Sequence, residues 1–276
     1  MPDTHKHQTT GKNRRFSDHR KKNTRSDFHK NSFSDTEELI ILYGWHSVKE
    51  ALLNPNRIYK RLLVTENSMK RLQEENLPLP VETQIVRPHD ISSLLEPDAV
   101  HQGLYLEALP LPSPDLDSLR ESSLIVALDQ ITDPHNVGAI VRTSAAFKID
   151  ALLTTYRHSP RTSGVLAKSA SGGLEYVPFI SVRNLADALI SLGKAGFLRI
   201  GLDSEGTTEL SSVTVRRPLV LVLGAEGKGL RHRTRECCDI ITRLDMPGNI
   251  KSLNVSNAAA ISLYSLMHRL PPASGQ

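Results

Sequence analysis

This sequence of 276 residues has no long apolar run and no pair of cysteines that are apart in the sequence. No apolar stretch approaches the roughly 18–20 residues that a membrane-spanning helix needs, so the sequence predicts no membrane protein. The first residues are polar and basic, unlike a secretory signal peptide. The only two cysteines, Cys237 and Cys238, are adjacent, and sequence neighbours rarely satisfy disulfide geometry. We therefore expect a cytoplasmic protein whose small buried cysteines form neither a disulfide nor a metal site.

Positive charge is concentrated near the N-terminus. The segment between His5 and Lys30 contains nine lysines and arginines and two aspartates. Its net charge is therefore +7, whereas the net charge of the whole chain is +4. Residues 1–37 hold almost no aliphatic side chains, so they cannot bury enough apolar surface to offset the entropy of ordering. We expect a disordered basic arm that binds nucleic acid through its phosphates, or, alternatively, a solvated tail without a role.

The rest of the chain divides into two predicted domains. Short strand-like runs and the helical pattern Trp45–Leu53 predict a small α/β domain over residues 38–108. Residues 109–119 contain three prolines, which favour an extended linker. A larger domain is predicted over residues 120–276.

Strand and helix patterns alternate in the larger domain. Strands are predicted near 124–128, 151–154, 178–182, 197–202, 219–223 and 240–244, and helices near 136–147, 163–170, 184–194 and 254–269. This alternation predicts an α/β fold whose mostly parallel sheet is covered on both faces. By itself, the pattern is typical of a doubly wound domain.

The first polar segment, Asp133–Arg142, follows an apolar strand. Asn136 is a plausible N-cap, and Gly138 would let another backbone or a ligand come close. The guanidinium of Arg142 suits the binding of a phosphate or the stabilisation of an oxyanion. Taken alone, the segment is also compatible with a surface arginine and a capping asparagine.

The second segment, Leu223–Leu230, is rich in glycine and also follows an apolar strand. It is not a phosphate-binding loop, because Lys228 is followed by Gly229 where that motif requires serine or threonine. The charge of Glu226 would repel a phosphate and would favour a cationic ligand. A sulfonium cofactor is compatible with this chemistry, and so is a plain glycine-rich turn.

The third segment, Ser252–Ala258, leads into an apolar helix. Ser252 and Asn254 are both start signals for that helix. Helix N-termini offer free backbone N–H groups to a ligand, although an ordinary capped helix has the same pattern.

Together, these three segments resemble the motifs of the SpoU-type (TrmH-like) RNA ribose 2′-O-methyltransferases of the SPOUT superfamily. The resemblance covers roughly residues 40–270, and the sequences of the three motifs are most similar to those of the bacterial 23S rRNA guanosine-2′-O-methyltransferase branch. It implies a C-terminal domain with a deep trefoil knot, which general topology rules would exclude. It also implies a small RNA-binding domain similar to ribosomal proteins, homodimers with the active site near the interface, and S-adenosylmethionine as cofactor.

The resemblance also assigns roles to individual residues. The catalytic positions it implies are Asn136, Arg142, Glu226, Ser252 and Asn254, and the cofactor-binding positions are Gly224, Leu244 and Leu253. No metal ligand is implied.

The predicted reaction is methyl transfer to a ribose 2′-hydroxyl of RNA, with a guanosine of 23S ribosomal RNA as the expected target. Because a guanidinium is a poor base, we expect Arg142 to stabilise the oxyanion and to position the adjacent phosphate. Two alternatives remain open at this point. One is a tRNA 2′-O-methyltransferase, and the other is a non-catalytic RNA-binding factor of ribosome assembly.

Overall fold

A computed structural model describes residues 39–79, 82–119, 123–157 and 163–271. The predicted basic arm, residues 1–37, lies outside these ranges.

The N-terminal part of the described chain forms a small α/β unit. Its elements are β1 (Ile40–Tyr43), α1 (Trp45–Leu53), β2 (Tyr59–Val64), α2 (Glu66–Glu74), β3 (Thr83–Ile85), α3 (Pro88–Ser92) and β4 (Leu104–Ala108). The strands lie in the order β1-β4-β2-β3, and β4 pairs antiparallel with both of its neighbours. Helix α1 has the predicted bounds, whereas α2 and α3 were missed because they are short and largely polar.

The C-terminal part alternates strands and helices. Its elements are β5 (Leu124–Asp129), α4 (Pro134–Ala146), β6 (Ala151–Thr155), α5 (Gly164–Ala170), β7 (Phe179–Val182), α6 (Leu185–Lys194), β8 (Leu198–Leu202), β9 (Thr208–Glu209), β10 (Leu219–Gly224), α7 (His232–Glu236), β11 (Ile240–Arg243) and α8 (Val255–Met267). Within the described ranges, its strands pair in parallel in the order β7-β6-β5-β10-β8-β11-β9. The predicted parallel sheet is confirmed, and only the short elements β9 and α7 were missed.

The sheet is buried on both faces, which explains the unbroken apolar runs of its central strands. In β5, Leu124, Val126 and Leu128 pack in a core that includes side chains of α4, α5 and α8. Ile125 and Ala127 point the other way, into a second core with α6. Every residue of β5 is therefore buried.

Helix α4 begins before the predicted N-cap. Asp133 is the N-cap, and its side chain accepts a hydrogen bond from the backbone N–H of His135 at 3.0 Å. Pro134 occupies the first helical position, where its missing N–H costs nothing and its fixed φ suits a helix. The prediction of Asn136 as N-cap was therefore wrong, and its amide is free for another contact.

Gly138 has the predicted role of allowing a close approach. A Cβ at this position would lie 2.7 Å from the backbone oxygen of Leu166 and 3.0 Å from the backbone nitrogen of Ala170. Helix α5 therefore packs directly on the α4 backbone.

The two parts of the chain are joined by polar contacts that water cannot reach. The guanidinium of Arg57, before β2, donates to both carboxylate oxygens of Glu175, at 2.6 and 3.2 Å. The two side chains are 2% and 3% exposed. Arg57 also donates to the backbone oxygen of Leu109 in the predicted linker, at 2.8 Å. These contacts fix the small unit and the linker against the larger one.

None of the helices in the described ranges combines the length and apolar character that a bilayer crossing requires. Those ranges also hold no group of three His, Cys, Asp or Glu side chains suited to a metal ion. Both cysteines are free thiols; Cys237 is buried, whereas Cys238 is only partly so, which corrects the expectation that both are buried. Burial raises the pKa of Cys238 to about 12.

Candidate active site

One cavity of about 520 Å³ lies at the carboxyl ends of β8, β10 and β11. This is the edge where open α/β sheets place ligands. Five of the eight predicted site residues line it, namely Gly224, Glu226, Leu244, Ser252 and Leu253. The structure thus brings the second and third polar segments to one place. We call this space the motif cavity.

The loop after β10 closes tightly on itself. Ala225 and Gly229 form an isolated antiparallel bridge, and a Cβ on Gly224 would clash with the backbone of Gly229 and Leu230. Gly227 and Gly229 have φ values of 75° and 63°, in the left-handed region that favours glycine. The glycines of the second segment are therefore required by the backbone.

Two aspartates that the sequence reasoning missed hold the far end of this loop. Asp129, at the end of β5, accepts hydrogen bonds from the backbone N–H of Arg231 at 2.9 Å and from its Nε at 2.6 Å. Asp203, just after β8, accepts from the backbone N–H of Leu230 at 3.3 Å and pairs with Arg235 at 3.4 Å. Each aspartate stands at the carboxyl end of a strand that flanks β10. An acidic residue closing an apolar strand was the signal that could have revealed them.

The walls of the motif cavity combine apolar and acidic side chains. Leu202, Leu244, Met246 and Leu253 supply apolar surface, while Asp203, Glu226 and Asp245 supply carboxylates. Two cations also line the cavity, and both are engaged: Lys251 donates from Nζ to the backbone oxygen of Met246 at 2.7 Å, and Arg243 pairs with Asp245 at 2.7 Å. The cavity therefore suits a ligand with an apolar body better than a polyphosphate.

The first and third segments meet through two asparagines. Asn254 is the N-cap of α8, as predicted, and its Oδ1 accepts from the backbone N–H of Ser256 at 2.9 Å. Its Nδ2 donates to Oδ1 of Asn136 at 2.8 Å. The amide that is not needed to cap α4 therefore ties α4 to the start of α8.

Arg142 lies apart from the motif cavity. It lines a second cavity of about 700 Å³, together with Glu50 of α1, Lys148, the turn at Gly172–Gly173 and Tyr176. Its side chain is exposed, and within the described ranges it forms no ion pair. The two cavities share no lining residue, so this chain alone does not place Arg142 beside the second and third segments.

Two family models match the chain. The SpoU rRNA Methylase family matches residues 123–264, just over half of the sequence. A model described as RNA 2′-O ribose methyltransferase substrate binding matches residues 41–114. The chain belongs to the SpoU rRNA methylase family.

Similar proteins span nearly the same length. The 23S rRNA (guanosine-2′-O-)-methyltransferase RlmB of Pseudomonas putida is 33% identical over 243 residues, covering 84% of this chain and 97% of the relative. RlmB of Pseudomonas aeruginosa is 35% identical over 245 residues, with the same coverage of 84% and 97%.

A solved structure shows the same fold. The SpoU methyltransferase AviRb from Streptomyces viridochromogenes, in complex with the cofactor AdoMet, matches with a TM-score of 0.72 at 23% identity. The match covers 86% of this chain and 92% of that one. The family model and the Pseudomonas relatives confirm the predicted membership of the SpoU family, and this structure confirms the α/β fold with a mostly parallel sheet.

Proposed function

We propose that this protein methylates the 2′-hydroxyl of a guanosine ribose in 23S ribosomal RNA, with S-adenosylmethionine as methyl donor. One structural observation carries the proposal: the second and third SpoU segments surround a cavity whose walls combine apolar side chains with carboxylates. The similarity to the Pseudomonas enzymes over nearly their whole length supports the choice of substrate. The cofactor seen in AviRb supports the choice of methyl donor. An enzyme with this substrate works in the cytoplasm.

The motif cavity fits S-adenosylmethionine in size and chemistry. A cavity of about 520 Å³ is in the usual range for a ligand of this size. Leu244 and Leu253 offer apolar surface to the adenosine, and the tight turn at Gly224 exposes backbone groups to it. The carboxylate of Glu226 complements a positive charge. When bound, the cofactor supplies an electrophilic methyl group on a sulfonium sulfur.

Arg142 serves the other reactant. The reaction breaks a sulfur–methyl bond, forms an oxygen–methyl bond and releases the hydroxyl proton to water through the adjacent phosphate. Because a guanidinium is a poor base, Arg142 does not accept that proton, but it stabilises the negative charge that develops on the oxygen. It also holds the adjacent phosphate, which fixes the hydroxyl in line with the methyl group.

We further propose that two copies of the chain complete the site. Arg142 and the motif cavity are separate in one chain, and the outer face of α8 carries apolar side chains that lack cover. Ile261 is 48% exposed and Tyr264 is 58% exposed. Tyr264 also packs edge-on against Phe147 beside the end of α4, with ring centroids 6.5 Å apart. A homodimer through this face would bury these rings and bring Arg142 towards the motif cavity of the partner.

The finer points of architecture follow the family resemblance. We propose a trefoil knot in the C-terminal segment and a ribosomal-protein-like RNA-binding domain over residues 38–108, joined by the linker 109–119 to a methyltransferase domain over residues 120–276. The knot is supported by the segment between β11 and α8, which lines the motif cavity beside the loop after β10. The hydrogen bond from the Asn254 side chain to the Asn136 side chain holds that segment against α4.

A methylation assay with purified RNA tests the function. The protein is incubated with methyl-labelled S-adenosylmethionine and either a 23S rRNA transcript or tRNA, and the labelled nucleosides are identified. We expect 2′-O-methylguanosine from the 23S transcript. Labelled tRNA alone would support the tRNA alternative, and cofactor and RNA binding without any label would support the assembly factor.

The same assay tests the role of Arg142. Arg142→Ala should lower turnover by about 100- to 1,000-fold, which is the effect of removing one oxyanion-stabilising donor. Cofactor affinity should be unchanged, because Arg142 lies outside the motif cavity. Arg216→Ala is the matched control, since Arg216 is also exposed but lies just before the amino end of β10. Wild-type turnover by a folded Arg142→Ala protein would refute this role.

A further inference from the structure

The cavity beside Arg142 is built by both parts of the chain. Helix α1 of the N-terminal unit contributes Glu50, and the C-terminal unit contributes Arg142, Lys148 and Tyr176. Its volume of about 700 Å³ is in the usual range for small-molecule sites and is large enough for a nucleotide. We call this space the interdomain cavity. The catalytic roles described above use only its Arg142.

Two glycines bring Glu50 and Arg142 to opposite sides of one thin turn. Gly172 has a φ of 88°, and a Cβ there would clash with the side chain of Glu50. A Cβ on Gly173 would lie 3.2 Å from Cα of Arg142 and 3.3 Å from its backbone nitrogen. Only the backbone of this turn therefore lies between the Glu50 side chain of the N-terminal unit and Arg142 of the C-terminal unit.

Tyr176 presents a fixed aromatic ring to this cavity. The residue is 63% exposed, yet its hydroxyl donates a hydrogen bond to the Glu50 carboxylate. This hydrogen bond raises the pKa of Tyr176 above its ordinary value. An exposed ring with a fixed orientation is suited to stack on an unpaired base.

The charges of the cavity match the parts of a nucleotide. Arg142 and Lys148 form no ion pair within the described ranges, so both can contact phosphates. The Asp150 carboxylate is occupied by the backbone N–H of Leu124 at 2.7 Å. The Glu50 carboxylate accepts from Tyr176 but keeps further acceptor sites, because an ionised carboxylate offers about four.

We propose that the interdomain cavity binds the base of the target guanosine, with Tyr176 stacked on the guanine and Glu50 accepting hydrogen bonds from its N1–H and N2 amino groups. Guanine alone among the four RNA bases presents two adjacent donors on its Watson–Crick edge, the pattern a carboxylate can accept in pairs. Adenine offers an acceptor at N1, which the carboxylate would repel. This inference rests on the proposed function and adds the residues that select the base.

The test compares guanosine with inosine, which lacks the N2 amino group, at the target position of the RNA. On wild-type protein, inosine should lower kcat/KM by about 10- to 100-fold, the value of one hydrogen bond to a charged group. Glu50→Gln should lower kcat/KM on guanosine RNA to a similar extent and should no longer distinguish the two RNAs. Glu75→Gln, an exposed acid paired with Lys49 at 2.6 Å outside the cavity, should behave as wild type.

The stacking role has its own matched pair of variants. Tyr176→Phe keeps the ring but loses the hydrogen bond to Glu50, so its kcat/KM for RNA should fall less than that of Tyr176→Ala, which should lose about 10- to 100-fold. The affinity for S-adenosylmethionine should be unchanged in all these variants, which also shows that they fold.

Equilibrium binding separates this inference from the proposed function. Short RNAs with guanosine or inosine at the target position are titrated with wild-type and Glu50→Gln protein, so the comparison does not require turnover. Preference for guanosine that vanishes in Glu50→Gln supports the base site even if no methyl group is transferred. Preference that survives in Glu50→Gln, or Tyr176→Ala with wild-type kcat/KM, would overturn it while leaving methyl transfer intact.

Discussion

Asn254 donates a hydrogen bond from Nδ2 to Oδ1 of Asn136 at 2.8 Å, across 118 positions of sequence. The same Asn254 caps α8 through its Oδ1. One side chain therefore holds the first SpoU segment against the third and also starts the helix that follows.

These two roles of Asn254 can be separated by substitution. Asn254→Ala should lower the free energy of unfolding by about 1 kcal/mol, because alanine cannot cap α8. Asn254→Ser should keep most of that stability, since serine is a good N-cap, but it cannot replace the amide donor to Asn136. We therefore expect near wild-type thermal unfolding and reduced turnover for Asn254→Ser. Full turnover by this variant would show that the hydrogen bond between Asn254 and Asn136 has no part in positioning the site.

Gly224 should be required for cofactor binding. A Cβ at this position would clash with the backbone of Gly229, so Gly224→Ala should distort the loop and weaken S-adenosylmethionine binding in calorimetry. Gly248→Ala is a matched control, because no atom lies within 4 Å of a Cβ built there. Equal affinity of the two variants would argue against a cofactor site at this loop.

Wild-type protein should show no Mg²⁺-dependent binding of ATP, since the loop is not a phosphate-binding loop.

The buried pair Arg57–Glu175 should be costly to break. Arg57→Met leaves the Glu175 carboxylate without its main partner in a site that is 3% exposed, so the free energy of unfolding should fall by about 3–5 kcal/mol. Arg233→Met removes an exposed pair with Asp187, 3.8 Å apart, and should change stability by less than about 1 kcal/mol. Urea unfolding measures both. Similar losses in the two variants would mean that Arg57 does not fix the N-terminal unit in place.

Deletion of residues 1–37 should weaken RNA binding and leave turnover at saturating RNA unchanged. The segment between His5 and Lys30 carries a net charge of +7. For each phosphate contact to single-stranded RNA that is lost, the slope of log affinity against log salt concentration should become less steep by about 0.7. An unchanged affinity and salt slope in the truncated protein would make this segment a tail without a role in RNA binding.

The sequence predicts this fold well where local signals are strong. Strands β5 and β10 are apolar runs buried on both faces, and α1 is bounded by Gly44 and Asn54. The short elements α7 and β9 give no comparable signal, because five or two residues show no period. The cap of α4 was misplaced by three residues because Asp133 and Asn136 are both good caps and the position of Pro134 decides between them.

The sequence indicated which polar segments would line the motif cavity, but not how the segments would be arranged. Gly224, Glu226 and Leu244 lie at or just after strand ends, which a parallel sheet necessarily gathers at one edge, whereas Ser252 and Leu253 lie just before α8. The position of Arg142 depends on how α4 is rotated against α5 and on the turn at Gly172–Gly173, which are properties of tertiary packing. For the same reason, no sequence pattern indicated that Glu50 and Tyr176 would meet beside it.

The most direct measurement is a map of 2′-O-methylated nucleotides in the ribosomal RNA of cells with and without this protein. We predict that one guanosine of 23S rRNA loses its ribose methyl group when the protein is absent. The methyl group should return with the wild-type protein and with Arg216→Ala, but not with Arg142→Ala. Identical methylation maps with and without the protein, or full recovery with Arg142→Ala, would contradict it.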